Sequence, residues 1–473
     1  MSSSTITAPS TPGTPARRRP VRRTLHVLAT LGTLALVAAA SIAFGLAVTP
    51  ERAVTILGQT ISVGTAPPSW HLEGPGEAVL FGQTIPTQVH FIGPVRPRLT
   101  LTDISINEQV AGLFSPGPHA PIADTLGSAL ASGWRWYFAS EIGFVTIAAI
   151  VLLGAIAGWR RFHGRRTVMF IVGGLIFAEA VNLGAIMVTA FTAPGILRDV
   201  HSLDSLVGRS QHAPVAVAPG HGLPAIEAIV LGDSTAAGVG GPVDESATDQ
   251  DRLCQRSSFS FAETLARVNE WDVDNLACSG ATIEAGILGP QSIGGQTVPP
   301  QLAVAQRASN AKTVIVSVGA NDLHWNTLVR LCAANASCDN KALTAYFQRS
   351  LATFTRDYLS LLSQLGTLAN HPTIVINQYY VPFDPSLDCL AGTGLTAEKV
   401  NVLLQELGIL NDVLANGART FGYLTVQPDF TGHELCTDQS YVQGPNDPAP
   451  VHPNARGQLV IALADERVLL DAP

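Results

Sequence analysis

The chain has 473 residues, a formal net charge of −8 and only 14% charged residues. Soluble domains carry about a quarter charged residues, so this composition argues against an ordinary soluble protein and indicates membrane segments. The acidic balance also argues against a nucleic-acid partner, because nucleic-acid-binding proteins usually present a basic face.

The N-terminal part of the chain predicts a basic tail followed by three membrane spans. Residues 1–23 are rich in Ser, Thr and Pro and end in a cluster of arginines, which is typical of a disordered tail. Residues 24–48 contain no Asp, Glu, Lys or Arg and are long enough for one bilayer crossing of about 20 residues. They exceed the apolar core of a secretory signal, so we predict an uncleaved anchor. The second and third spans are predicted at 137–158 and 168–191.

Two basic clusters predict the orientation of these spans. One precedes the first span, and the other lies in the loop 159–167, which contains the run WRRFHGRR. Short basic loops remain in the cytoplasm. We therefore expect a cytoplasmic N-terminus, a lipid bilayer as the partner of the three spans, and extracytoplasmic placement of 49–133 and of all residues after the third span.

Glu179 lies near the middle of the third span, and Asn182 follows one turn later. An ionisable group at that depth is costly and is a candidate functional residue. We favour a structural role, a protonated Glu179 that bonds to a neighbouring helix, because we find no second ionisable group paired with it in these spans.

Residues 49–133 predict a small β-rich segment. Its β-branched runs alternate and are punctuated by Gly and Pro. The motif GQTI occurs at 58–61 and again at 82–85, which favours two similar hairpins of a small β-sandwich. No residue pattern in this segment points to chemistry.

The C-terminal half predicts an α/β domain over 225–473, after a linker over 192–224 that is rich in Pro, Gly, His and Ser. Five short apolar runs alternate with helical patterns, one of which spans about 397–415. This alternation predicts a parallel sheet with helices on both sides, and such sheets place active sites at the carboxyl ends of the strands. The strand candidates are Ile226–Leu231, Trp271–Leu276, Thr313–Val318, Thr373–Asn377 and Tyr423–Val426.

All six cysteines lie in this C-terminal domain, which favours disulfides in an oxidising compartment over free buried thiols. No CxxC or HxxxH spacing supports a metal site. We favour pairing between sequence neighbours, partly because Cys332 and Cys338 would close a very short loop. The predicted pairs are Cys254–Cys278, Cys332–Cys338 and Cys389–Cys436.

Four short blocks follow predicted strands or precede the last helix. They are Gly-Asp-Ser ending at Ser234, a loop with Gly280, the run GAND that contains Asn321, and His452-Pro453. Each block alone is an ordinary turn or helix cap. Together and in this order, they resemble the blocks of the SGNH hydrolases, also called the GDSL family of esterases and lipases.

The resemblance covers about half the chain and implies a three-layer α/β/α, flavodoxin-like fold and ester hydrolysis or acyl transfer. It implies Ser234 as the nucleophile and His452 as the base. The oxyanion would be held by the backbone N–H groups of Ser234 and Gly280 and by the Asn321 side chain. Neither a metal nor another cofactor is required. The six-cysteine form is similar to secreted actinobacterial members, which supports the neighbour pairing.

The sequence departs from the family in front of His452. The family usually has an aspartate three residues before the histidine, where this chain has Ala449, and the nearest acid is Asp447. Three arrangements are open: Asp447 reaches His452, a backbone carbonyl near Ala449 orients the imidazole in a Ser–His dyad, or the enzyme is impaired. The orienting group matters because it fixes the imidazole tautomer.

Among the other polar residues near these blocks, Asp233 and Asp322 are predicted to orient loops. His324 and Trp325 either line the pocket or pack in the core.

The leading hypothesis is a membrane-anchored, extracytoplasmic serine esterase or lipase. One alternative is an O-acyltransferase or deacylase of envelope glycans or glycolipids that uses the same serine. Another is a catalytically silent domain that binds glycan or lipid.

Overall fold

The computed structural model describes residues 19–56, 59–69, 71, 73–104, 120–198, 213–384, 388–390 and 392–471. Most of the predicted N-terminal tail and part of the predicted linker lie outside these residues. The chain divides into two compact units. One contains the N-terminal residues up to Pro50 with Arg135–Val188, and the other contains Glu51–Trp134 with Thr189–Pro473.

Three long apolar helices dominate the N-terminal region: α1 (Arg19–Val48), α2 (Ala120–Trp159) and α3 (Arg165–Arg198). Each contains a window that is long and apolar enough to cross a bilayer. The prediction of three apolar helices is therefore confirmed. Each helix extends past its predicted span, because helical hydrogen bonds continue beyond the stretch that apolar composition marks.

Two acids, rather than one, lie between the helices of the first unit. Glu179 accepts a hydrogen bond from the Thr146 hydroxyl (2.7 Å). Glu141 is fully buried and accepts one from Asn182 Nδ2 (3.0 Å). The bond from Glu179 to a neighbouring helix fits its predicted structural role. The sequence analysis missed Glu141, which lies inside the predicted second span and bonds to Asn182 rather than to Glu179.

The segment before α2 forms one five-stranded sheet, in which the fifth strand along the chain lies between the second and the third. The predicted β-sandwich is wrong, because one face of the sheet is covered by the start of α2, where Trp134 Nε1 donates to the Gly64 carbonyl (3.0 Å). The two GQTI copies do belong to similar hairpins, since Gln59 and Gln83 each begin a second strand. The first copy's Gly58 lies outside the described residues. The strands are β1 (Arg52–Ile56), β2 (Gln59–Thr65), β3 (Glu73–Leu80), β4 (Gln83–Ile92) and β5 (Pro97–Ile104).

This sheet and the C-terminal domain pack together within the second unit. Phe81, at the turn between β3 and β4, is buried against Tyr358 and Phe421, with ring centroids 5.7 and 6.4 Å away. The Asn416 amide donates to the Phe81 carbonyl (3.3 Å). This aromatic turn therefore helps to attach the β-rich segment to the α/β domain, and β5 also contacts the helix Ala397–Thr420.

The C-terminal domain contains the predicted parallel sheet, and all five predicted strands are present. The strands are β6 (Ala228–Gly232), β7 (Val273–Asn275), β10 (Thr313–Ser317), β11 (Thr373–Asn377) and β12 (Leu424–Val426). A separate hairpin pairs β8 (Gln291–Ile293) with β9 (Gln296–Val298). The main sheet has the order β7-β6-β10-β11-β12, and every neighbouring pair is parallel.

Helices connect and cover these strands. They are α4 (Ser234–Ala237), α5 (Asp249–Cys254), α6 (Phe261–Asn269), α7 (Gln301–Ala305), α8 (Trp325–Ala334), α9 (Lys341–Leu365), α10 (Ala397–Thr420) and α11 (Ala455–Leu470). With the right-handed crossovers that parallel strands almost always have, this strand order places α6 on one face of the sheet and α9 and α10 on the other. The core runs through the central strands, where Val230, Ile315 and Val375 are fully buried.

The strand order sets the position of the functional site. From β6 the chain moves to one side of the sheet, and from β10 it moves to the other side. The crevice between the carboxyl ends of β6 and β10 is therefore the topological switch point, where ligands bind in open α/β sheets.

The three predicted disulfides are confirmed, and no described cysteine is free. Cys254–Cys278 joins the end of α5 to the loop after β7, two residues before Gly280. Cys332–Cys338 closes the end of α8, and Cys389–Cys436 links a short 3-10 helix (Asp388–Leu390) to the loop after β12.

Candidate active site

Ser234 stands directly after the central strand β6. At Gly232 the chain passes so close to the neighbouring strand that a Cβ would collide with the Ser317 backbone oxygen, so only glycine fits there. The Asp233 carboxylate then accepts from the Thr235 backbone N–H (2.8 Å) and caps the short helix α4. These contacts leave the half-buried Ser234 side chain at the carboxyl end of the sheet.

His452 lies against Ser234. Its Nε2 is 2.8 Å from Ser234 Oγ, and its Nδ1 is 3.2 Å from the Pro450 carbonyl oxygen. A carbonyl oxygen only accepts, so Nδ1 carries the proton of the neutral imidazole. Nε2 then presents a lone pair, and the Ser234 hydroxyl donates to it. This tautomer suits a base that removes a proton from the serine.

Asp447 does not orient the imidazole. Its side chain is exposed, and its Oδ2 accepts from the Gly444 backbone N–H (2.6 Å). The Asp447 N–H donates back to the Gly444 carbonyl (3.1 Å), so the aspartate closes its own tight turn. The sequence left three arrangements open for the partner of His452. In the structure the partner of Nδ1 is a backbone carbonyl, that of Pro450.

The three donors predicted for an oxyanion lie on segments next to β6: Ser234 follows this strand, the Cys278 N–H two residues before Gly280 donates to the Gly232 carbonyl (3.0 Å), and Asn321 lines the cavity with Ser234. The backbone N–H groups of Ser234 and Gly280 donate to no other group among the described residues. Gly280 has a φ of 77°, a left-handed conformation that favours glycine. One N–H of the Asn321 amide donates to the Ala281 carbonyl (3.0 Å), which fixes the amide and leaves its second N–H for a ligand. These are the donors that the sequence predicted for an oxyanion.

The comparisons with known proteins agree with this geometry. Residues 230–460 match the GDSL-like Lipase/Acylhydrolase family. The chain is 28% identical over 244 residues to Lipase 1 of Streptomyces coelicolor, a match that covers 49% of this chain and 81% of that protein. Through these residues the chain belongs to the SGNH/GDSL hydrolase family. It is a serine hydrolase that acts on ester bonds.

Solved structures similar to this hydrolase include an extracellular lipase from Streptomyces rimosus, at 22% identity and a TM-score of 0.39. A phospholipase A1 from Streptomyces albidoflavus is also 22% identical, with a TM-score of 0.38. Each match covers 53% of this chain and 100% of the other chain.

The loops of the hydrolase are joined by a buried tyrosine that the sequence analysis missed. The Tyr379 hydroxyl donates to Asp233 Oδ2 (2.6 Å) and accepts from the Ala320 backbone N–H (2.9 Å). It thus bridges the residue before Ser234 and the residue before Asn321. Burial raises the pKa of Tyr379 and also that of Asp233. The sequence signal that could have indicated Tyr379 is its position just after the predicted strand Thr373–Asn377, at the end of the sheet where active sites lie.

Asp322 orients a loop, as predicted. Its Oδ1 accepts from the Ile283 backbone N–H (2.9 Å) and so ties the loop after β10 to the loop that contains Gly280. Its Oδ2 is buried without a hydrogen-bond partner among the described residues. Burial raises the pKa of this carboxyl to about 7.

A cavity opens beside the Ser234–His452 pair. Trp325 lines it, whereas His324 is exposed and does not. Among the described residues, the wall carries no Asp, Glu, Lys or Arg side chain and includes several apolar ones. The lining residues are Ser234, Thr235, Ala320, Asn321, Trp325, Asn326, Tyr379, Tyr380, Pro382, Leu407, Leu410, Pro450, Val451 and His452.

Proposed function

We propose that this hydrolase is a membrane-anchored esterase or lipase that acts outside the cytoplasmic membrane through a Ser234–His452 dyad. The observation that carries the proposal is the 2.8 Å contact between Ser234 Oγ and His452 Nε2, with the Pro450 carbonyl on Nδ1. No carboxylate is needed to select the productive tautomer, because the carbonyl selects it.

The first half of the reaction forms an acyl-enzyme. Ser234 Oγ attacks the ester carbonyl carbon while His452 Nε2 takes the hydroxyl proton. The carbonyl oxygen becomes an oxyanion that accepts from the N–H groups of Ser234, Gly280 and Asn321. The intermediate collapses, the C–O bond to the alcohol breaks, and His452 returns its proton to the leaving oxygen.

The second half releases the acid. A water molecule gives a proton to His452 Nε2 as its oxygen attacks the acyl carbon. The same three donors stabilise the second oxyanion. Its collapse breaks the bond to Ser234 Oγ, which regains the proton from His452, and the carboxylic acid leaves.

The cavity supports an uncharged, apolar acyl group as the bound part of the substrate. Leu407 and Leu410 come from α10, and Trp325 begins α8. No Asp, Glu, Lys or Arg side chain is among the lining residues, so the wall offers a charged acyl chain no ion-pair partner apart from the base His452, and desolvation of that chain would be costly. The relatives named as lipases are consistent with such a substrate.

Three features support the membrane anchor and its orientation. The helices α1, α2 and α3 are long and apolar enough to cross a bilayer. The arginines before the first span and in the loop 159–167 favour the cytoplasmic side. Disulfides persist in oxidising compartments, so the three disulfides of the α/β domain favour the opposite side.

The catalytic proposal is tested by labelling the full-length protein in detergent with a fluorophosphonate probe. We expect stoichiometric labelling of wild type and of Ser246→Ala, which removes an exposed serine hydroxyl away from the cavity, and no labelling of Ser234→Ala. Hydrolysis of p-nitrophenyl esters should follow the same order. Labelling or activity that survives in a folded Ser234→Ala protein would contradict the proposal.

Product analysis then separates hydrolysis from transfer. The same ester is supplied with and without a glycan acceptor, and free acid is the expected product in both cases. Acylated glycan as the main product would instead indicate an acyltransferase.

The orientation is tested with alkaline phosphatase, which is active only outside the cytoplasm, fused after Gly164 or after Pro214. We expect activity from the Pro214 fusion and none from the Gly164 fusion. The reverse pattern would refute the extracytoplasmic placement.

A further inference from the structure

The loop that carries His452 adopts a conformation that its own residues disfavour. Val451 has a φ of 72°, in the left-handed region that a β-branched residue rarely occupies. Val451 lies between Pro450, whose carbonyl oxygen contacts His452 Nδ1, and His452 itself. The backbone conformation of Val451 therefore sets the position of this carbonyl relative to the imidazole. Such a conformation persists only where surrounding contacts hold it.

Gln443 provides contacts on both sides of His452. Its backbone N–H donates to the His452 carbonyl (2.7 Å), and its backbone carbonyl accepts from the Val451 N–H (3.0 Å). Its side-chain Oε1 accepts from the Ala449 N–H (3.2 Å), and Nε2 donates to the Pro453 carbonyl (3.2 Å). Gln443 is only 5% exposed, so water does not compete for these bonds.

The same side chain reaches the nucleophile. Gln443 Nε2 also donates to the Val239 carbonyl (2.7 Å). The Val239 N–H in turn donates to the Ser234 carbonyl (3.1 Å). At Gly240 a Cβ would collide with Gln443 Oε1, so the backbone has room for the amide only because this residue is glycine. One amide group therefore joins the segment after Ser234 to the segment around His452.

We infer that Gln443 is a positioning residue that holds His452 against Ser234, a role that a carboxylate on Nδ1 would otherwise share. The inference rests on the proposed function, because it assigns Gln443 an effect through the base of that reaction. The Pro450 carbonyl orients the imidazole, and Gln443 holds the loop segment that presents this carbonyl. The charge-neutral amide does so through the backbone and touches no reacting atom.

The test begins with Gln443→Ala in the full-length protein, assayed with p-nitrophenyl esters. The substitution removes the three side-chain hydrogen bonds and leaves the two backbone bonds. A misplacement of about 1 Å costs roughly 100-fold in rate, so we expect kcat to fall by about 10- to 100-fold while KM changes by less than about threefold. Gln443→Met, which keeps the volume but cannot form these hydrogen bonds, should give the same result if the alanine variant does not fold.

The matched control is Gln364→Ala. That amide also bonds to a distant backbone group, the Val215 N–H (2.9 Å), but does not line the cavity. We expect its kcat to stay within about twofold of wild type. If Gln443→Ala and Gln443→Met both keep wild-type kcat, the inference is wrong.

A double-mutant cycle separates positioning from general stability. In a His452→Ala background, Gln443→Ala should leave the residual Ser234-dependent rate unchanged, because the residue it positions is gone. A second loss as large as the loss in wild type would overturn the inference. If Ser234→Ala keeps activity, the proposed function fails instead, so the two failures are distinguishable.

Discussion

The two members of the Ser–His pair lie in very different surroundings. Ser234 follows a fully buried central strand, and the loops around it are joined by buried side chains such as Tyr379. His452 lies on a loop next to the exposed Pro450, follows a left-handed Val451, and has only a backbone carbonyl on Nδ1. The sheet therefore builds the nucleophile side, whereas hydrogen bonds of the loop backbone and of the Gln443 side chain build the base side.

This difference shows which parts of such a site tolerate change. A nucleophile at a strand end depends on the whole sheet, so its position is set by the core. We expect a histidine base on a loop to tolerate loss of its acidic partner if another acceptor bonds to Nδ1 and other hydrogen bonds fix the loop.

The largest effect after loss of the dyad itself is expected on the nucleophile side, for Asn321→Ala. The change removes one oxyanion donor, so kcat should fall by roughly 100- to 1,000-fold with little change in KM. Steady-state kinetics measure this, with Asn335→Ala as the control because that exposed amide bonds only within the end of its helix. A loss of less than about fivefold would mean that Asn321 does not hold the oxyanion.

Tyr379→Phe should have a smaller effect on the same side. It removes the donor to Asp233 and the acceptor for Ala320, so the two loops lose their link. We expect kcat to fall by about tenfold. Each group left unpaired costs about 1–3 kcal/mol in the free energy of unfolding.

The control for this prediction is Tyr423→Phe, whose hydroxyl donates to the Leu362 carbonyl away from the site (2.9 Å). It should lower stability in urea but keep kcat. Equal kcat values for the two phenylalanine variants would show that Tyr379 is only structural.

The pH dependence of stability tests how the helix after His452 is attached to the sheet. Asp465 on α11 accepts from the Asn377 amide (3.2 Å), and burial raises its pKa to about 8. Between its ordinary pKa of 3.8 and the raised pKa of about 8, the Asp465 carboxyl is protonated in the folded state and ionised in the unfolded state. Stability from this group is present at low pH and is lost as the pH rises toward about 8.

Asp465→Asn removes this titration and keeps an acceptor and a donor for Asn377. Thermal unfolding between pH 5 and 8, a range that covers about three units of the titration, should show a shallower decline in Tm than wild type. Asp322, whose pKa is raised to about 7, contributes to the decline that remains. Identical slopes for the two proteins would contradict a protonated Asp465.

The sequence predicted the nucleophile side well. The strands and the Gly-Asp-Ser turn carry strong local patterns, and the disulfide pairing was favoured by one short loop and by the family resemblance. The role of Tyr379 was not predicted, because it depends on strand β11 lying next to β10 and no local sequence pattern indicates which strands are neighbours. Glu141 escaped because a single acid in an apolar run was overlooked beside Glu179.

The base side was harder to predict for a physical reason. A backbone carbonyl has no residue-type signature, so the partner of His452 Nδ1 depends on the path of the loop rather than on the residue at Pro450. The acid nearest in sequence, Asp447, satisfies its own turn instead. Gln443 acts through bonds that form only once the loop has folded back on itself.

If the Ser234–His452 dyad works without an aspartate, Asp447→Asn should leave it active. Asparagine keeps an oxygen acceptor for the Gly444 N–H and removes only the charge. We predict that kcat/KM for p-nitrophenyl esters stays within about threefold of wild type, whereas His452→Ala loses roughly 1,000-fold or more. A loss in Asp447→Asn that approaches the loss in His452→Ala would contradict the account and restore Asp447 as a third catalytic residue.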